Sequence, residues 1–183
     1  MLEATEALLA EGTSYPELNI ERIAKRAGIS RTAFYFYFRD KRELLMRLTE
    51  DVTHRLYAES DIWFSGEGEP IEELGRAVRN VGALYRAHGD VLRAIVDAAS
   101  ADEEVARLWH AVIDRFVDAT QRRIEEERAA GRPGAGEPRA TAFALCWMTE
   151  RTFHQQFVLG EPLPRDQLVA ALTAIWVGTV YGA

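Results

Sequence analysis

The chain has 183 residues, of which 48% are apolar and 28% are charged, and its formal net charge is −7. This length fits one compact domain or two small ones, and the apolar fraction excludes an intrinsically disordered chain. The single cysteine, Cys146, excludes an internal disulfide. Because no basic-then-apolar leader opens the sequence and no long apolar run occurs, we expect a soluble, cytoplasmic protein without a membrane partner.

The net charge conceals a local excess of basic residues. Residues 19–47 carry eight basic and three acidic side chains, a surplus of five positive charges. From residue 56 onward there are 13 basic and 20 acidic side chains. An acidic protein is a poor candidate for coating nucleic acid in general, so the uneven distribution indicates one anion-binding module on an acidic body.

The first part of the chain predicts four helices, and their ends are marked by caps and breakers. The apolar positions repeat with helical period, and Gly12 and Gly28 interrupt them. The predicted helices cover residues 2–11, residues 20–27, a short segment from residue 31, and residues 41–64. The predicted N-caps are Asn19, Ser30, and Asp40 acting with Glu43 in a variant of the capping box.

The rest of the chain also has helical period and no sustained alternation typical of strands, which predicts an all-α protein. Pro70 fits the first position of a helix, and glycine-rich loops separate the helical segments at residues 65–69 and 131–136. The predicted helices cover residues 70–87, 90–99, 102–130, 139–158 and 165–181.

A helix-turn-helix carries the basic surplus. Ile23, Ala24 and Ile29 provide its internal contacts, and Gly28 supplies the turn conformation that other residues resist. The second helix then presents the following residues at its start, where a recognition helix meets base edges: Arg31, Thr32 and Ala33. The pattern predicts binding to double-stranded DNA.

Two basic residues, Lys41 and Arg42, open the fourth helix, although the helix dipole favours negative groups there. Some partner must offset this placement. A phosphate is a good candidate, since a lysine and the free N–H groups at a helix start both attract it.

The spacing of these residues closely resembles the signature of TetR-type transcriptional repressors. The matching residues are Ile23-Ala24-x-x-Ala27-Gly28-Ile29-Ser30-x-x-x-Phe34-Tyr35-x-Tyr37-Phe38-x-x-Lys41-x-x-Leu44. The resemblance implies a nine-helix, two-lobed subunit with a DNA-binding domain at residues 1–47 and an effector-binding and dimerisation domain at residues 48–183. It implies a dimer on an inverted-repeat operator, released by a small effector.

Carried over residue by residue, the resemblance places Arg31, Thr32 and Ala33 on the bases and Tyr35, Tyr37 and Lys41 on the DNA backbone. The cap residues Asn19 and Ser30 complete the predicted DNA-binding set. Phe34 and Phe38 fall where the family has core side chains, and Phe36 fits either environment.

The C-terminal part is similar to a mycobacterial branch of the family through Glu150-Arg151-Thr152 and Ile175-Trp176-Val177. This similarity implies a narrow, mostly apolar effector tunnel. An aromatic stripe at helical spacing is by itself more often plain core. With the resemblance, the predicted effector-binding residues are Trp109, Ile113, Phe116, Thr120, Cys146, Thr149, Phe153 and Trp176. We find no obvious buried charge among them and therefore expect an apolar, neutral or weakly polar effector.

The last two predicted helices are apolar almost all round, which favours a homodimer that buries their second face. A different reading is a helical adaptor that binds another protein through these helices without recognising DNA. An enzyme is disfavoured, because the four histidines are scattered and Cys146 has no positive neighbour close in sequence. We predict no catalytic residue, no metal site and no cofactor.

Overall fold

The computed structural model describes residues 1–132, 134, 136–160 and 162–182. Pro133 and Ala135 of the predicted loop at 131–136, and Ala183 at the end of the predicted second domain, lie outside this part. Within it, nine α-helices and one π-helical turn provide the regular structure, and there is no strand. The helices are α1 Leu2–Ala10, α2 Ile20–Arg26, α3 Arg31–Phe34, α4 Lys41–Phe64, α5 Pro70–Ala87, α6 Gly89–Ala101, α7 Glu103–Ala129, α8 Pro138–Phe153 and α9 Arg165–Tyr181.

The all-α prediction is confirmed, and the helix ends follow their caps. Asp40 Oδ1 accepts the backbone N–H of Glu43 at 2.9 Å, as a capping box requires. The reciprocal half differs, because the Glu43 carboxylate accepts the backbone N–H of Arg39 at 2.7 Å instead of that of Asp40. The predicted helix at 139–158 is also interrupted, since its last turn, His154–Val158, is a π-helix.

The described chain forms two compact units that are not contiguous in sequence. The first comprises Met1–Thr53 and His88–Trp109, and the second comprises His54–Ala87 and the chain from His110 onward. Helices α4 and α7 each contribute residues to both units. The predicted division at residue 47 into DNA-binding and effector domains concerns function, and it stays a prediction.

The first unit has a core built by α1, α2, α3 and α6. Helix α1 packs on α2 and α6, and α2 packs on α3. Helix α6 supplies the following buried side chains: Val91, Leu92, Ala94, Ile95 and Ala98. The short N-terminal helices bury too little apolar area by themselves, and α6 adds the missing face.

The second unit has an aromatic core between α5, α8, the π-helical turn and α9. Trp63, near the end of α4, is buried and donates its indole N–H to the Tyr181 hydroxyl at 2.7 Å. Gly82 on α5 faces Phe153, and a Cβ there would lie 3.2 Å from the Phe153 ring. This glycine permits the close approach of the two elements. Among the described residues, no helix combines the length and apolar character needed to cross a membrane.

Candidate nucleic-acid interface and effector region

The helix-turn-helix forms through local capping. The Asn19 side chain accepts the backbone N–H of Arg22 at 2.9 Å and begins α2, while Ser30 Oγ accepts that of Ala33 at 3.1 Å and begins α3. Gly28 has φ of +69°, the left-handed conformation that glycine adopts at little cost. The predicted caps and turn are confirmed. The polar side chains of both predicted cap residues are thus engaged within the protein.

The start of α3 is turned outward, as a recognition helix requires. Arg31 and Thr32 are exposed, Ala33 is half-buried, and Phe34 is fully buried. One buried side chain in this short helix anchors it, and the three predicted base-facing residues occupy its accessible side. The chemistry available there is a guanidinium, a hydroxyl and two methyl groups, which suits major-groove edges.

Arg31 has an internal partner in the free protein. Its guanidinium donates to Glu21 Oε1 at 2.9 Å, and both side chains are largely exposed. Hydrogen bonding to Tyr35, together with the Glu21 carboxylate, raises the pKa of Arg31, so the group stays charged. Because solvent screens exposed pairs of this kind, they contribute little to stability, and a guanine edge can replace Glu21 at small cost.

The aromatic run from Phe34 to Phe38 divides into a packed pair, the buried Phe34 and the half-buried Phe38, and an exposed set between them. The Phe34 and Phe38 rings pack with their centroids 5.7 Å apart, which agrees with the predicted core role. Tyr35, Phe36 and Tyr37 are 48%, 82% and 70% exposed. Phe36, whose environment the sequence left open, is therefore a surface residue beside the two tyrosines predicted to touch the DNA backbone.

The two cations that open α4 have partners within the protein. The Lys41 ammonium lies 3.0–3.3 Å from three backbone carbonyls of the α1–α2 loop, those of residues 15, 16 and 18. Arg42 pairs with Glu104 at 2.5 Å and with Asp102 at 3.3 Å. We expected a phosphate to offset these charges. In the structure, carbonyls and carboxylates do so, through contacts that span 23 to 62 positions of sequence.

Seven of the eight predicted effector residues lie in the second unit, whereas Trp109 lies in the first. Six side chains are buried, those of Trp109, Ile113, Thr120, Cys146, Phe153 and Trp176, and two are half-buried, those of Phe116 and Thr149. The structure brings several of the seven together in pairs. Thr120 Oγ1 lies 3.5 Å from Cys146 Sγ, and the Trp176 indole N–H donates to Thr149 Oγ1 at 2.8 Å.

Other aromatic residues that the sequence analysis did not select complete these contacts. The Phe116 ring packs on Tyr57 and Phe64, with centroids 5.4 and 6.5 Å apart. The Trp176 ring meets Trp63 edge-on at 5.6 Å. All three partners, Tyr57, Trp63 and Phe64, lie in the C-terminal half of α4. The seven-residue spacing between Tyr57 and Phe64 is a helical signal that could have identified these two.

Two polar groups of the second unit, the Cys146 thiol and the Glu150 carboxyl, are buried. Cys146 is buried, and burial raises its pKa to about 12, so it stays a neutral thiol. Glu150 on α8 is also buried, at 7% exposure, and burial raises the pKa of its carboxyl. Glu150 is not among the eight predicted effector residues, and its raised pKa favours the neutral carboxyl, so the expectation of a neutral or weakly polar effector stays a prediction. The sequence analysis used Glu150 only as part of the C-terminal triplet and made no statement about its burial.

Two family models match the chain. The model described as bacterial regulatory proteins of the tetR family matches residues 1–48, and the model described as the C-terminal domain of the transcriptional regulator EthR matches residues 74–182. The chain belongs to the TetR family of bacterial transcriptional regulators. The resemblance drawn from the helix-turn-helix and from the C-terminal triplets is confirmed.

Relatives within the TetR family match along nearly the whole chain. The HTH-type transcriptional regulator EthR of Mycobacterium tuberculosis is 31% identical, over 98% of this chain and 85% of its own. The regulator of the same name from Mycolicibacterium smegmatis is 29% identical, over 98% and 84%. These relatives are regulators, and this protein is a transcriptional regulator with a DNA-binding helix-turn-helix, not an enzyme.

Solved TetR-type structures share the fold. The structure of FadR from Bacillus subtilis in complex with stearoyl-CoA has a TM-score of 0.80, covering 96% of this chain and 95% of that one at 15% sequence identity. At this identity the likeness concerns the fold alone.

Proposed function

We propose that this TetR-family protein is a cytoplasmic, ligand-responsive transcriptional repressor that binds a palindromic operator as a homodimer and is released by a small, mostly apolar effector. The observation that carries the DNA-binding part is the accessible start of α3, where Arg31 and Thr32 are exposed above the buried Phe34. Arg31, Thr32 and Ala33 read bases in the major groove, and Tyr35 and Tyr37 contact the backbone.

The proposed dimer uses α8 and α9. Their outer faces carry exposed apolar side chains, with Phe143 at 52% and Ile175 at 47% exposure. Exposed alanines flank them on both helices. Exposed apolar side chains of this kind are costly in water, and a second copy related by a two-fold axis would cover those of both helices with one self-complementary contact. The two recognition helices then meet successive major grooves about 34–36 Å apart.

The effector part rests on the second unit. Its candidate residues are apolar or aromatic with a few hydroxyl groups, which suits a ligand held by ring contacts and one or two hydrogen bonds. Of the stearoyl-CoA bound in the B. subtilis FadR complex, the apolar stearoyl chain is consistent with this chemistry, whereas the charged coenzyme A part is not. Helix α4 contributes to both units, so a ligand that favours one arrangement of α4 shifts the population away from the DNA-competent state.

A gel-shift series tests the DNA-binding part. The purified chain is titrated against genomic fragments, including the DNA that flanks its own gene, at several salt concentrations. Specific, salt-sensitive binding to an inverted repeat is the expected result. No binding at low salt would overturn the proposal and favour the helical adaptor, whose C-terminal helices would then serve another protein.

The dimer and the effector have separate tests. Ile175→Glu is expected to shift the sedimenting species from dimer toward monomer, whereas Ile71→Glu, at a similarly exposed isoleucine of α5, leaves it unchanged. A monomeric wild-type chain at micromolar concentration would contradict the dimer.

For the effector, a panel of long-chain acyl esters and neutral alkyl aromatics is tested by tryptophan fluorescence and melting temperature. Indifference to the whole panel would remove the effector from the proposal.

A further inference from the structure

Lys41, the first residue of α4, directs its side chain into the protein. Its ammonium lies 3.1 Å from the Tyr15 carbonyl oxygen, 3.3 Å from that of Pro16 and 3.0 Å from that of Leu18. An ammonium has three N–H donors and no acceptor. Each donor therefore has a carbonyl partner, and none is left over for a phosphate.

The surroundings of Lys41 reinforce these hydrogen bonds. Its ammonium lies 4.6 Å from the centroid of the Tyr15 ring, within the range of a cation–π contact. Lys41 is half-buried, and desolvation lowers the pKa of its ammonium. Movement of the ammonium to a phosphate would leave the loop carbonyls without their donor, and hydrogen bonds to charged groups are stronger than those between neutral groups.

The loop that Lys41 contacts leads directly into the helix-turn-helix. Leu18 is buried at 2% exposure, and the next residue, Asn19, is the N-cap of α2. Lys41 therefore connects the start of α4 to the entry of α2. Since α2 packs on α3, the orientation of the recognition helix relative to α4 depends on this connection.

We propose that Lys41 is a positioning residue of the DNA-binding head, which sustains operator affinity by holding the α1–α2 loop on α4 and not by neutralising a DNA phosphate. This inference rests on the proposed function, because it concerns the route by which one residue acts on operator binding. It differs from the role that the sequence resemblance implies for the same lysine.

The two roles predict different responses to salt. A phosphate contact releases a counterion, so its loss lowers the slope of log K against log salt by about one and weakens binding to every sequence. A positioning residue acts through the fit of α3 to its bases. Its loss weakens specific binding, while the salt slope and the affinity for unrelated DNA stay as in the unchanged protein.

The test compares Lys41→Met with Lys25→Met in the full-length protein, by fluorescence anisotropy on operator and unrelated duplexes at five salt concentrations. Lys25 is an exposed residue of α2 and the other lysine of the chain, so the control removes the same charge from the same unit. We expect Lys41→Met to lose roughly tenfold or more in operator affinity, the loss that corresponds to one charged hydrogen bond. Its salt slope should equal that of the unchanged protein.

Three results would overturn the inference. Equal losses on both duplexes with a lowered slope would place Lys41 on a phosphate. Unchanged operator affinity with a lower melting temperature would restrict it to stability. Failure of the unchanged protein to prefer any operator would overturn the proposed function, and this inference with it, whereas the first two results leave that function intact.

A second variant covers the case in which Lys41→Met does not fold. Lys41→Arg keeps the charge but replaces a three-donor ammonium by a planar guanidinium, which does not fit the same three carbonyls. Positioning predicts weaker operator binding for Lys41→Arg. Full operator affinity in this variant would contradict the inference, because a phosphate accepts either cation.

Discussion

The DNA-binding head and the effector region of this regulator use their aromatic residues in opposite ways. After α3, three consecutive aromatic side chains are exposed, and one of them, Phe36, is the most exposed large apolar residue described. In the second unit, Phe153 and Trp63 are buried within ring-on-ring contacts. Aromatic side chains are thus exposed in one region and packed in the other, and burial distinguishes the residues available for a partner from those that stabilise the fold.

The largest expected effect is on the free energy of unfolding, and a matched pair of substitutions compares the two regions. Phe153→Ala removes a fully buried ring that packs on Tyr85 and Phe157, and we expect the free energy of unfolding to fall by about 3–5 kcal/mol. Phe36→Ala removes the same side chain from the surface and should change stability by no more than about 0.5 kcal/mol. Urea denaturation at fixed protein concentration measures both. Similar losses would show that Phe36 also supports the core.

The next effect concerns base recognition. Arg31→Ala removes the guanidinium that reads a base edge, so operator affinity should fall by about 1–3 kcal/mol while affinity for unrelated DNA changes little. Measurement uses anisotropy on the operator and on single-position variants. Specificity should relax at one base pair of each half-site. An equal loss on every sequence would instead assign Arg31 to the phosphate backbone.

The contrast between the regions also explains what the sequence could predict. Helix-turn-helix geometry depends on local signals, such as the caps Asn19 and Ser30 and the turn at Gly28, and these were predictable residue by residue. The hydrogen-bond partners of Lys41 and Arg42 were not, because they come from a loop and a helix 23 to 62 positions away. Likewise, periodicity identified α6 as a helix but could not assign it to the first unit.

In the effector region, sequence reasoning found the buried stripe but not the partners of its side chains. Apolar periodicity indicates which face of α7 is buried, and it does not show which rings from other helices meet that face. The contacts of Phe116 with Tyr57 and Phe64 join helices far apart in sequence. Burial of Glu150 has the same origin, since it depends on the elements that pack around α8.

Glu150 offers a pH test specific to the effector region. Burial raises the pKa of its carboxyl above the unfolded value, so the charged form is disfavoured in the folded protein. The free energy of unfolding therefore falls as pH rises from the ordinary glutamate range through the raised pKa. Glu150→Gln removes this penalty and should be more stable than the unchanged protein at neutral pH, with the difference vanishing in acid. The exposed Glu72→Gln on α5 serves as a control. Equal stability of Glu150→Gln and the unchanged protein at neutral pH would show that ionisation of Glu150 costs nothing.

The smallest expected effect is a change in operator affinity on substitution of Glu21 in the DNA-binding head. Glu21 pairs with Arg31 in the free protein at 2.9 Å, so it competes with DNA for the guanidinium. Glu21→Ala frees Arg31 and removes a negative charge from the binding face. Because solvent screens an exposed pair, operator affinity should rise only modestly, by no more than roughly fivefold. The control is Glu17→Ala, at an exposed carboxylate of the α1–α2 loop that bonds Ser14. If both substitutions raise affinity equally, general repulsion from DNA explains the gain, whereas a gain confined to Glu21→Ala and abolished in combination with Arg31→Ala assigns it to the pair.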